Sequence, residues 1–159
     1  MEKAIDEHDK KELQQKLSKP GSKLRTFAKL KTTSGMEHYA TALPRRDRRI
    51  IAKLRSGAAH LEIETGRFDK IPPEARLCYH CRDKVEDEQH FLVECPKYAQ
   101  ERQELYQYLT DQGTPIGQMD NLNQLRFLLT RCGEFKRVIK FIRRAWSSRA
   151  KARKELGLS

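Results

Sequence analysis

Four residues in the spacing C-x2-C-x8-H-x4-C, namely Cys78, Cys81, His90 and Cys95, constrain this chain more than any other feature. Two thiols separated by two residues aim at one point when the backbone between them turns tightly. A histidine with a cysteine five positions later can be supplied by one helical turn and its exit. Three thiolates and one imidazole close a tetrahedral shell that leaves no position for water, the donor set Zn²⁺ takes in structural sites. The pattern predicts one structural zinc ion in a small knuckle over residues 77–98. Such a centre carries a net charge of about −1, which Arg76, Arg82, Lys84 and Lys97 stand close enough in sequence to offset. The acidic run Glu86, Asp87, Glu88 reads as the first turn of a helix that delivers His90, where the helix dipole favours negative charge. His80 is expected to face solvent or to stand behind the ligands, and His60 and Cys132 remain alternative donors. Cys132 has no partner at ligand spacing and is most simply a small buried group at a helix end.

The rest of the chain is strongly cationic. It has 159 residues, with 33 lysines and arginines against 22 acidic residues, a formal charge of +11. Hydrophobic residues make up 37% and charged ones 35%, so one domain with tails and a modest core is expected. No apolar run is long enough to span a bilayer and the N-terminus is charged from Glu2, which predicts no membrane association and an intracellular location, in nucleus or cytoplasm. In a reducing compartment metal ligation is favoured over disulfides.

Periodicity predicts an all-α chain carrying the knuckle as a small insert and ending in a basic helix. Residues 1–20 read as a polar tail, 21–112 as a helical segment containing the knuckle, and 113–159 as a C-terminal helical pair. Leu24, Phe27 and Leu30, then Tyr39 to Leu43, suggest two short helices. Ile50, Ile51 and Leu54 mark one face of a third that stops at Gly57. Leu61 to Glu64 alternates and suggests a short strand. Pro96 suits the first turn of a helix running to Gly113. Leu122 to Arg131 forms another, and Phe135, Val138, Ile139, Ile142 and Trp146 make the apolar stripe of the last.

The charge is unevenly placed. Residues 113–159 hold eleven basic against three acidic residues, whereas 78–112 hold four against eight. Two cationic clusters follow, Arg45, Arg46, Arg48 and Arg49 in one, and Lys136, Arg137, Lys140, Arg143, Arg144, Arg149, Lys151, Arg153 and Lys154 in the other. Such groups neutralise phosphates and bind nucleic acid through counterion release. The expected contacts are Arg45, Arg46, Arg48, Arg49, Lys140, Arg143, Arg144, Arg149, Lys151, Arg153 and Lys154. Tyr79, Phe91, Tyr98 and Trp146 are candidates for stacking on unpaired bases, with core packing the simpler reading for each.

Several stretches together resemble a known family. These are Lys53 to Gly57, Leu61 to Phe68, Leu77 to Cys81, and Glu86 to Tyr98 with its H-F-L-x-x-C-P-x-Y run, followed by Arg102. From about Ser22 to Tyr108, just over half the chain, they are similar to the segment after the polymerase in non-LTR (LINE-type) retrotransposon reverse transcriptases. The resemblance implies that Cys78, Cys81, His90 and Cys95 are the metal ligands. It also implies a role in binding template RNA or target-site nucleic acid beside a reverse transcriptase, which becomes a second implied partner. No Asp-Asp polymerase motif occurs, so the chain reads as a separated C-terminal piece, whether fragment, decayed element or domesticated gene.

The function expected is thus non-catalytic binding of RNA or single-stranded DNA. A zinc-stabilised protein-interaction module is the alternative. A restriction-like nuclease remnant is a remote one, drawn from Asp120 with Glu134 and Lys136 at D…E-x-K spacing; the helical periodicity around those residues argues against it.

Overall fold

The structure, a computed structural model, describes residues 8, 11–17, 24–30, 36–131 and 133–158. It is all-α. After an exposed helical stretch at 11–17, α1 spans Arg25–Leu30, α2 His38–Ala42, α3 Arg45–Ser56, α4 Glu62–Thr65, α5 Ala99–Asp111, α6 Asn121–Arg126 and α7 Phe135–Glu155. Among the described residues there is no strand, and Leu77 and Val85 form an isolated antiparallel bridge. The expectation for Cys132, and most of that for the tail at 1–20, lies outside the described residues.

Local chemistry sets the boundaries. Gly57 ends α3 in the left-handed conformation at φ 73°, its N–H reaching the carbonyls of Lys53 and Leu54, a geometry that costs glycine little. The Asp120 carboxylate caps α6 by accepting the N–H of Asn123 at 3.0 Å. Two segments depart from the expected pattern. Leu61 to Glu64 does not form a strand; Glu62–Thr65 is a single helical turn because the Glu86 side chain accepts the Glu62 N–H at 2.9 Å and starts the turn there. The helix expected over Leu122 to Arg131 widens after Arg126 into a π turn, Phe127–Arg131. Arg55, from α3, donates to the Leu129 carbonyl and to Thr130 Oγ1, both at 2.7 Å, and holds that turn.

One continuous core runs from Leu30 to Ala145, crossing the expected boundary near residue 112. Its spine is α7, whose Val138, Ile142 and Ala145 are fully buried and which packs against α5 and α3. Residues of the knuckle belong to the same core: Cys78, Phe91, Leu92, Cys95 and Tyr98 are all at 0% exposure. The knuckle is therefore built into the centre of the fold rather than appended to it. Trp146 on α7 stacks on Phe91 with ring centroids 4.8 Å apart.

Low apolar content is offset by buried charges that find partners. Glu86 receives Arg149 Nε at 2.8 Å and Nη2 at 2.6 Å. Glu88 receives Arg25 Nη2 at 3.0 Å and the Thr26 hydroxyl at 2.6 Å, which fastens α1 to the knuckle. Arg102 of α5 donates to the carbonyls of Leu92 and Cys95. Removing one member of such a pair leaves the other charge buried alone, a loss of about 3–5 kcal/mol. Arg149→Ala is therefore expected to lower unfolding free energy by roughly that amount in urea titrations; a loss within the range of an exposed Lys154→Ala control would contradict this.

Candidate metal centre

A short hairpin and a wide helical turn bring the four predicted ligands together. Cys78 N–H donates to the Lys84 carbonyl at 2.8 Å and Glu86 N–H to that of Arg76 at 3.0 Å, while Arg82 N–H closes the turn on the Cys78 carbonyl at 2.6 Å. Arg82 takes φ 58°, the left-handed step that lets the loop reverse within two residues of Cys81. On the other side the helix that begins at Glu88 passes directly into the π turn His90–Glu94, with Cys95 N–H donating to the His90 carbonyl at 2.7 Å. A π turn carries one more residue than an α turn, which matches the five-residue step from His90 to Cys95.

The three sulfurs and one imidazole nitrogen lie within 4.8 Å of one another and could hold a metal ion. Cys81 Sγ and His90 Nε2 are 3.3 Å apart. Cys78, His90 and Cys95 are buried and Cys81 is half-buried. The N–H of Cys81 serves the Cys78 sulfur and that of Lys97 the Cys95 sulfur, the kind of donor that stabilises thiolates. The Cys78 thiol is pushed up to about 12, first by its hydrogen bond with Cys95 and then by burial, while the same bond lowers Cys95.

Sequence reasoning missed the groups behind the ligands. His90 Nδ1 is buried, 4.0 Å from the Glu94 carboxylate, an arrangement close to the carboxylate–histidine–metal triad that fixes ring orientation. Burial works to raise the Glu94 pKa, but hydrogen bonds from Gln89, Asn121 and Lys84 outweigh it and hold the carboxyl below its usual range. Glu94 follows His90 by four residues, so helical spacing alone would have flagged it. Glu86 Oε1 lies 3.8 Å from Cys78 Sγ, and Arg149 neutralises that carboxylate from a distance of 63 residues in sequence, for which no local signal exists.

The acidic run divides its work. Only Asp87 caps the turn, its Oδ1 accepting the His90 N–H at 2.8 Å; Glu86 and Glu88 are buried ion-pair partners. Among the cations expected to offset the centre, Arg76 is spent on the carbonyls of Ile71 and Ile63 and Lys84 on Glu94. Arg82 and Lys97 are exposed. His80 is half-buried with its ring edge-on to Tyr98, and His60 is exposed; neither joins the cluster.

The expected nucleic-acid contacts separate by burial. Arg45, Arg46, Arg48 and Arg49 are exposed on α3, and Lys140, Arg143, Lys151 and Lys154 on α7. Arg143 meets Asp47 at 2.6 Å, which joins the two clusters along one edge although 96 residues separate them. Arg144 is half-buried and paired with Glu104. Arg153 lies 5.6 Å from the Tyr79 ring. Arg149 is corrected outright: at 4% exposure, with its guanidinium on Glu86 and over Tyr79, it is architectural. Phe91 and Tyr98 are likewise core residues, and Tyr79 and Trp146 are half-buried beneath Arg149. Asp120 is a helix cap and Glu134 pairs with Arg137 at 3.9 Å.

No protein-family model, curated protein or solved structure matches the chain.

Cys81→Ser and His90→Ala should each abolish stoichiometric metal retention, measured by elemental analysis after desalting, with Cys132→Ser unchanged; equal loss in Cys132→Ser would overturn the ligand assignment. Because the Cys78 thiol must shed its proton to ligate, metal affinity should rise with pH and fall on acidification.

Proposed function

We propose that the chain is a non-catalytic, zinc-stabilised module that binds RNA or single-stranded DNA, with Zn²⁺ structural and the basic helices supplying affinity. Zinc is favoured by the donor set: tetrahedral shells with bonds of about 2.3 Å to sulfur and 2.0 Å to nitrogen place ligand atoms about 3.5 to 3.8 Å apart, between the Cys81–His90 separation of 3.3 Å and the 4.8 Å within which all four donor atoms lie. Three soft thiolates also disfavour magnesium and calcium.

The observation that carries the binding role is the sorting of cations. Arg102 and Arg149 are buried and hydrogen-bonded within the fold, and Arg55 is buried with its Nη1 on Leu129 and Thr130, while exposed positive charge stands along two helices that share the Asp47–Arg143 contact. Lys136, Lys140, Arg143, Lys151 and Lys154 fall within one stripe of α7 at helical spacing, opposite its apolar face. A stripe of this kind tracks a phosphate backbone without reading bases. The role agrees with the resemblance to the region beside retrotransposon reverse transcriptases, and the rest of such an enzyme is a proposed second partner.

Zinc-loaded protein titrated against labelled single-stranded RNA, single-stranded DNA and duplex DNA should bind single strands best. Affinity should fall with salt at a log–log slope of about −0.7 per phosphate contacted. Replacing Lys151 and Lys154 with alanine should weaken all single strands alike and flatten the slope. Absence of binding at low salt with one zinc per chain would redirect the function to a protein partner.

A further inference from the structure

The outer face of α3 does more than present charge. Arg45, Arg49 and Lys53 recur every four residues on it, and below them the helix borders a hollow of about 330 Å³ lined by Phe27, Tyr39, Arg49, Ala52, Lys53, Arg55 and Ser56. That volume is within the range of small-molecule sites, which begins at about 300 Å³. Two aromatic rings, from α1 and α2, stand there against three cations from α3. Arg49 and Lys53 are exposed at the rim, and Phe27 and Tyr39 are half-buried.

Arg55 is the third cation and is fully buried, at 1% exposure. Its Nη1 is spent on Leu129 and Thr130, and its Nη2 lies 2.9 Å from the Glu37 carboxylate. Its Nε is buried with no hydrogen-bond partner among the described residues, and its guanidinium carbon sits 5.2 Å from the Tyr39 ring centroid. A buried donor left unpaired is costly, and here it belongs to a residue lining a hollow beside an aromatic ring. With Glu37 counted against the three cations, the surroundings keep a net positive charge.

We propose that this hollow is a nucleotide-unit subsite, which seats one unpaired base of a single strand against Tyr39 and Phe27 while Arg49 and Lys53 hold the flanking phosphates. This rests on the single-strand reading above and adds to it a place where a base, and not only the backbone, is engaged. Base–aromatic stacking is tolerant of sequence, so the subsite favours bases over their absence without selecting among them.

The test compares a labelled oligothymidylate with an abasic strand of equal length, titrated against the full metal-loaded chain. Wild type should bind the thymidylate about tenfold more tightly, one base's stacking. Tyr39→Leu should abolish that preference while leaving abasic affinity and salt slope unchanged, and Tyr39→Phe should keep it. Ala52→Trp, which fills the hollow without removing a cation, should act like Tyr39→Leu and guards against misfolding of the Tyr39 variant. Equal wild-type affinity for both strands, or a preference that survives both Tyr39→Leu and Ala52→Trp, would overturn the subsite while leaving the cationic reading intact. Failure to bind either strand at low salt would overturn the single-strand reading itself, and the subsite with it.

Discussion

The Glu86 carboxylate is the point on which the rest of the molecule depends. One oxygen lies 3.8 Å from the Cys78 sulfur and receives Arg149 Nε; the other receives Arg149 Nη2 and the backbone N–H of Glu62. A fully buried carboxylate is tolerable only when paired and hydrogen-bonded. Satisfying it requires α7, α4 and the knuckle hairpin to be in place at once. Phe91, one residue after His90, then packs on Trp146 in the turn of α7 that precedes Arg149. Metal centre and basic helix are thus two faces of one packed unit, and a chain with little apolar material obtains its cooperativity from few, highly committed contacts.

The arginines show how a basic sequence divides its charge. Arg55, Arg102 and Arg149 reach across the fold to carbonyls and carboxylates, where a planar, multidentate donor serves better than lysine. The other cations on α3 and α7, exposed or half-buried, meet solvent, acids such as Asp47 and Glu104 or, for Arg48, the Ala40 carbonyl. Exposed pairs of that kind contribute little to stability, so these groups are free to exchange an acidic neighbour for a phosphate at small cost to the fold.

Much of this was legible in the sequence, for physical reasons. The ligand spacing is local, and so are the stripe of Phe135, Val138, Ile139, Ile142 and Trp146, the stop at Gly57 and the start at Pro96; each needs only the geometry of a turn or helix. The alternation at Leu61 to Glu64 misled because its helical turn is initiated by Glu86, 24 residues away. The π turn at Phe127–Arg131 depends on Arg55, more than 70 residues distant. Arg149 looked like one more cation in a basic run, although it stands four residues after Ala145 and seven after Ile142, on the buried face of its own helix, a position Arg144 does not share. Burial of a charge is decided by a distant partner, and that partner does not appear in local pattern.

The metal centre and α7 form one packed unit, and Trp146, the sole tryptophan of the chain, reports on it directly. Its fluorescence should be followed while the metal-loaded protein is titrated with a strong chelator, with metal release measured in parallel. Loss of metal should expose Trp146, shifting its emission to the red in step with release, and re-addition of Zn²⁺ should restore it. Full release of the metal with the emission unmoved would show that the helix keeps its packing without the centre, and would contradict the account.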